Sequence, residues 1–283
     1  MCAAKGMILR ELRRLEPSVT SGDKIAVNDS SNSLPNEEEF TRPPDEPVQI
    51  GILTEGKATL AMVIVGLVLQ ESVPLDIYIV DTAESAVIKR DDVVFAMRLA
   101  SDRGVYCGYE HIRERNRRFS VGRLRLLDEL TGTLISFMDD DIVLAPSATH
   151  NLYERARKSD TFGFLSPVCK NWGDADSPLP GRPHYSPGGI IYQDPLVRKV
   201  LQEYYRNTTD VLDARGGPDR LWEKAFLSEL FPALGRQSEV RQDCLSYHLD
   251  YRERPVRYRI DDGIVQASVS HARALAAAAL QGA

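Results

Sequence analysis

The chain lacks any apolar run long enough to cross a bilayer. Its longest, LAMVIVGLVL at 60–69, is about half of the roughly 20 residues a spanning helix needs. Cysteine is scarce as well: Cys2, Cys107, Cys169 and Cys244 are dispersed, with no Cys-x-x-Cys pair, which argues against a thiolate zinc site and for reduced, buried or incidental thiols. There is no surplus of positive charge, since 35 Lys and Arg against 41 Asp and Glu leave a net −6. That balance speaks against nucleic-acid binding by bulk electrostatics, though not against a local basic pocket. The opening MCAAKGMILRELRRLEP interleaves charges with apolar residues and so lacks the uninterrupted apolar stretch of a secretory signal. These absences predict a cytoplasmic protein with no transmembrane segment and no nucleic-acid partner.

What is present suffices for a sizeable core: 283 residues, 43% hydrophobic and 27% charged, the make-up of an ordinary globular protein. Ala4, Ile8, Leu12 and Leu15 fall at helical spacing, and the stretch from 16 to 47 is polar and rich in Pro, Ser, Asn and Glu. Residues 1–47 therefore read as a short amphipathic helix and a linker. That helix could dock on the main body or on a second subunit, which leaves a homo-oligomer open.

From Val48 the pattern changes. VQIGILT, LDIYIVDT, YCGYEHIRER and TLISFMDDD read as strands, and ATLAMVIVGLVLQES, DDVVFAMRLASDRG and SVGRLRLLDELTG as the helices between them, the last stopped by Gly132. Strands alternating with helices imply βαβ units and a mostly parallel sheet flanked by helices. Ligands of such sheets bind beyond the strands' carboxyl ends, where Thr54, Glu55, Asp81 and the run Asp139–Asp140–Asp141 all fall. Three like charges at one sheet edge repel unless a cation or proton resolves them. A hard divalent ion, Mg²⁺ or Mn²⁺, is well served by one or two carboxylates plus diphosphate oxygens. Alternation along an extended strand end puts Asp139 and Asp141 on one side and turns Asp140 towards the protein.

IGILTEGK, IYIVDTAES, VGRLRLLDELTG and LISFMDDDIVLAP, in that order, resemble the family 2 nucleotide-sugar glycosyltransferases of the GT-A fold. Arg123 stands sixteen residues before Asp139, the usual spacing of that family. The resemblance covers about 48 to 146 and implies a Rossmann-like donor half there. A smaller acceptor-binding and catalytic half over 147–272 and an Ala-rich tail or terminal helix over 273–283 would follow. It implies a nucleotide-diphosphate sugar as donor and Mn²⁺ or Mg²⁺ on Asp139 and Asp141, with Asp140 beside them; the lack of an apolar anchor favours a small-molecule or soluble glycan as acceptor. Nucleobase and ribose contacts would fall to Thr54, Glu55 and Asp81, and a donor contact to Arg123. The chain departs from the family in TEGK, where T-Y-N is common, and in GRL, which keeps only the arginine of A-R-N.

In the second half, YSPGGIIYQ places Gly188 and Gly189 before a short apolar strand, resembling the family's glycine pair next to the donor sugar; an ordinary turn reads equally well. DADSPLPGRPHYSPGG is too irregular for helix or strand and suits a lid. An inverting transfer needs a base near the acceptor hydroxyl. The layout RQDCLSYHLDYRERPVRYRIDDGIVQASVSHAR resembles the family's E-D helix start, then a strand, then a histidine. It points to Asp243 as base, with Asp219 and Glu223 of GGPDRLWEKAF as rivals, and to His271 as a third metal ligand. Asp at a helix start is also an ordinary N-cap. FMDDDIVL also fits the haloacid-dehalogenase phosphatases, in which the first aspartate is a nucleophile beside Mg²⁺. A nucleotidyltransferase and a non-catalytic nucleotide-sugar-binding relative are further alternatives.

Overall fold

The computed structural model describes residues 46–70, 73–113, 118–158, 162–171, 185–213, 220–249 and 262–282. The expected helix and linker over 1–45, most of the Pro/Gly-rich loop, Asp219 and the YRI stretch lie outside them. The described residues belong to one compact unit, 40–283.

Strand β1 (Val48–Thr54) pairs in parallel with β2 (Leu75–Asp81) on one side and β4 (Leu134–Asp139) on the other, and β3 (Tyr106–His111) extends the parallel row beyond β2. Beyond β4 the sheet becomes mixed. β7 (Ile190–Tyr192) runs antiparallel between β4 and β6 (Phe162–Asn171), β8 (Gln237–His248) lies parallel to β6, and the short β5 (Ile142–Leu144) closes the edge antiparallel to β8. The eight strands run in the order β3-β2-β1-β4-β7-β6-β8-β5.

Period-two alternation sends side chains to both faces: along β4, Leu134 and Met138 enter one core and Ile135 and Phe137 the other. The first face is covered by α1 (Leu60–Val68), α2 (Asp91–Asp102) and α4 (Ala148–Ala156). The second is covered by α3 (Arg118–Glu129), α5 (Pro195–Asp213), α6 (Arg220–Ala233) and α7 (Asp262–Gln281). Large aliphatic side chains such as Ile50, Ile52 and Leu126 are fully buried, each worth about 1.5–3 kcal/mol of transfer free energy. The Ala-rich end is no loose tail: it is the second half of α7, and Ala272, Ala276 and Ala279 are buried against the second core.

One expected element differs. Gln242 and Asp243 start no helix; they lie within β8, at the point where its register against β6 slips between Pro167 and Val168. Cys244 and Ser246 are buried and alternate with the exposed Asp243 and the half-buried Leu245.

Candidate functional site

The site grows from the carboxyl ends of β1 and β4, which are paired in parallel as far as Leu53 and Asp139. Thr54 ends β1 and is buried; its hydroxyl donates to Asp140 Oδ2 at 2.7 Å. The Glu55 N–H reaches the same oxygen at 3.3 Å. Thr59, the residue before α1, gives its hydroxyl to the Asp140 carbonyl at 2.7 Å instead of capping its own helix. The positive end of α1 is thereby tied to the acidic turn. Asp140 is thus turned into the protein, but by the turn that follows β4 and not by strand alternation, for Asp141 is buried as well. Burial lifts its carboxyl above the ordinary range, Thr54 and Lys57 pull it back in part, and Asp141 and Asp139 push it further up.

Asp141 is buried too and meets two nitrogen groups, one ammonium and one imidazole. Lys57 Nζ bonds to its Oδ2 and lies 3.8 Å from Asp140 Oδ1. His248 Nε2, at the end of β8, is 3.4 Å from the same Asp141 oxygen. β5–β8 pairing aligns Ile142 with His248, and the Leu249 N–H binds the Asp141 carbonyl at 2.8 Å, which fixes that meeting. Burial holds the His248 imidazole below its usual range; Lys224 and Lys57 reinforce this, while Asp141 and Asp139 oppose it. At neutral pH the ring is therefore a neutral nitrogen donor.

Asp139 is the most open of the three, with a side chain 35% exposed. Arg123 of α3 donates to its Oδ1 at 3.2 Å. Arg123 itself is wholly buried. It forks onto Glu223 of α6 at 2.8 and 3.0 Å and lies over the rings of Phe119 and Phe137, 5.0 and 4.9 Å from their centroids. The Tyr205 hydroxyl donates to the same Glu223. Burial works against the guanidinium charge, but Glu223 and Asp139 outweigh it and hold Arg123 cationic.

Several expected roles change on this geometry. Asp81 is fully buried and accepts from Ala83 N at 2.8 Å, Val87 N at 2.8 Å and Tyr109 Oη at 2.7 Å; it clamps its own loop and presents no surface to a nucleobase. Glu55 stays exposed beside the site. Arg123 positions Asp139 from below, with no surface for a donor contact. Gly188 and Gly189 belong to a turn packed on protein: Gly188 has φ 85°, and an added Cβ would meet Leu144 Cδ2 at 2.9 Å, while one at Gly189 would meet the Leu165 carbonyl at 2.9 Å. His271 lies on α7 with its ring against Tyr204 and Phe226, at 6.1 and 6.2 Å, away from the aspartates. Asp243 is exposed and paired with Arg241 at 2.8 Å, in the irregular stretch of β8 where its register against β6 slips. Glu223, a rival base, is taken up by Arg123 and Tyr205.

Lys57 and His248 are the site residues that sequence reasoning missed. Lys57 stands inside the TEGK departure from the family pattern, and His248 inside SYHLD. What marks His248 is a pairing across the sheet, which no spacing in the sequence displays.

Among the described residues no three His, Cys, Asp or Glu side chains gather into a metal cage. A nucleotide-bound Mg²⁺ or Mn²⁺ needs only one or two protein donors, the rest being phosphate oxygens and water. Asp141 with His248, and Asp139 beside them, supply that number and chemistry.

A mixed α/β sheet with an acidic turn at the end of its central strand defines the GT-A class of fold. Solved structures of glycosyltransferases share it. The chain superposes on S. aureus TarS 1–349 bound to UDP-GlcNAc with a TM-score of 0.52 at 12% identity, over 83% of this chain and 71% of that one. On the mannosyltransferase PcManGT from Pyrobaculum calidifontis, in complex with GDP-Man and Mn²⁺, the score is 0.51 at 14% identity, over 84% and 74%. The chain spans 43% of the longer S. aureus TarS structure. No protein-family model matches the sequence, and no curated protein does.

Proposed function

We propose that the chain is a glycosyltransferase that takes a sugar from a nucleotide-diphosphate donor and transfers it, with inversion, to an acceptor hydroxyl. What carries this reading is the convergence of Asp139, Asp141, His248 and Lys57 at the carboxyl edge of the parallel row. The fold is one on which TarS and PcManGT hold UDP-GlcNAc and GDP-Man. A divalent ion would be held by Asp141 and His248, with phosphate oxygens and water as its other ligands and Asp139 near by. When bound, it neutralises charge that builds on the departing diphosphate. Arg123 keeps Asp139 aimed outwards, and Thr54 with Glu55 N–H holds Asp140 down so that the turn cannot swing. The base that deprotonates the acceptor would be Asp243, with Asp219 and Glu223 as its rivals; Glu223 is held by Arg123 and Tyr205.

The test is nucleotide binding followed by thermal shift. UDP or GDP should raise the melting temperature in Mn²⁺ and do so far less in EDTA. Asp141→Asn should abolish the metal-dependent part, whereas Asp243→Asn should keep binding and lose sugar transfer, and Asp219→Asn should do so instead if Asp219 is the base. Full transfer by the Asp141→Asn protein would sink the metal assignment, and no response to any nucleoside diphosphate would sink the donor assignment.

A further inference from the structure

Lys57 reaches Asp141 from a loop that is built to hold it. Gly56 takes φ 97°, a left-handed conformation that favours glycine, and this turns the chain so that Lys57 faces the aspartates. Arg90 then fastens the loop from outside. Its Nη1 donates to the carbonyls of Lys57 at 2.7 Å and Gly56 at 3.3 Å, and its Nη2 to that of Ala58 at 3.1 Å. Arg90 is in turn held by Asp92 at 2.6 Å. The backbone of Lys57 is therefore fixed, while its side chain is a four-carbon stem carrying a compact charge that can swing.

The ammonium contacts the one Asp141 oxygen that His248 also approaches, which is where a metal ion held by Asp141 and His248 would sit. Two cations cannot share that seat. We propose that Lys57 is a tethered counter-ion that holds Asp141 in the absence of nucleotide and yields it to the divalent ion only when a nucleoside diphosphate arrives. The ammonium then moves onto the diphosphate. This rests on the donor-binding reading above and adds to it a residue that makes metal and donor bind as a unit. Metal alone must push Lys57 off Asp141 while the ammonium stays near Asp140, leaving a cation beside a cation. Metal with a diphosphate displaces it onto fresh phosphate oxygens. The two ligands therefore strengthen each other, and Lys57 adds to the coupling that the phosphate oxygens on the metal already supply. Such coupling is reciprocal.

The experiment uses the full chain and measures Mn²⁺ binding from the electron paramagnetic resonance of the free ion, with and without UDP or GDP. Lys57→Met should bind Mn²⁺ alone about tenfold tighter than the wild type. A saturating nucleoside diphosphate should raise the Mn²⁺ affinity of the wild type by about 5–150-fold, and that of Lys57→Met by clearly less. Lys57→Gln, which keeps a polar tip, serves as the second variant and should behave like Lys57→Met. Equal Mn²⁺ affinity of wild type and both variants without nucleotide overturns the proposal, and so does the absence of Mn²⁺ binding by all three. If the Mn²⁺-only comparison favours the variants but neither nucleotide binds the wild type, the counter-ion role stands and the donor reading fails.

Discussion

At the scale of single residues, the arrangement turns on how a buried arginine is balanced. Arg123 sits in a fully buried place, and its charge is tolerable because Glu223 and Asp139 meet it from two sides and two aromatic faces cover it. Removing one member strands the other: Arg123→Met leaves the Glu223 carboxylate buried without its partner. That should cost about 3–5 kcal/mol in urea unfolding. The double change Arg123→Met with Glu223→Leu should recover much of that loss, because a well-packed apolar pair often matches a buried ion pair. It should still lower nucleotide affinity, since Asp139 has lost its anchor. A double variant as unstable as the single one would show that the pair does more than balance its own charges.

Elements make their own demands. α7 presses His271 into a half-buried place against Tyr204 and Phe226, and burial lowers its pKa below the usual 6.5, opposed by Glu203. The unfolded chain then takes up the proton first on acidification. The stability His271 contributes is present above about pH 6.5 and is lost as the pH falls through its folded pKa. Melting between pH 7.5 and 5.0 should therefore fall more steeply for the wild type than for His271→Phe, and Mn²⁺ affinity should be equal in the two. In β6, Gly163 is the extra residue where the register slips between Phe162 and Phe164. An added Cβ there would come within 2.4 Å of Phe231 Cβ, an atom with no freedom to move aside. Gly163→Ala should cost about 1–3 kcal/mol as an overpacked contact between sheet and α6. An unchanged denaturation midpoint would mean that α6 shifts easily.

Across the whole molecule, what the sequence made readable was local. Strands β1, β2 and β4 and the helices between them follow from periodicity and from the acids that end them, because each apolar position there serves one nearby core. The acidic turn was readable for the same reason. Long-range pairing was not. Asp243 looked like a helix start because Asp often caps helices, but β8 is set by its ladders to β6 and β5. His271 looked like a ligand by order along the chain, whereas His248 reaches Asp141 through the register of β5 on β8. Gly132, expected to stop α3, lies beyond its end at Glu129 and serves to let Gln49 approach, with its N–H 2.6 Å from Gln49 Oε1.

The order of the strands has a consequence for assembly in time. β4 and β5 are separated by a single two-residue turn, yet three strands stand between them in the sheet. Asp140 and Asp141 are the joint from which the chain crosses from the middle of the sheet to its far edge. At that edge β5 has to wait for its partner β8, which leaves a translating ribosome roughly a hundred residues later. Pairings so distant in sequence form slowly. A nascent chain therefore has its three aspartates, and the lysine that answers them, long before His248 arrives, and the first competent site appears only with the last strand.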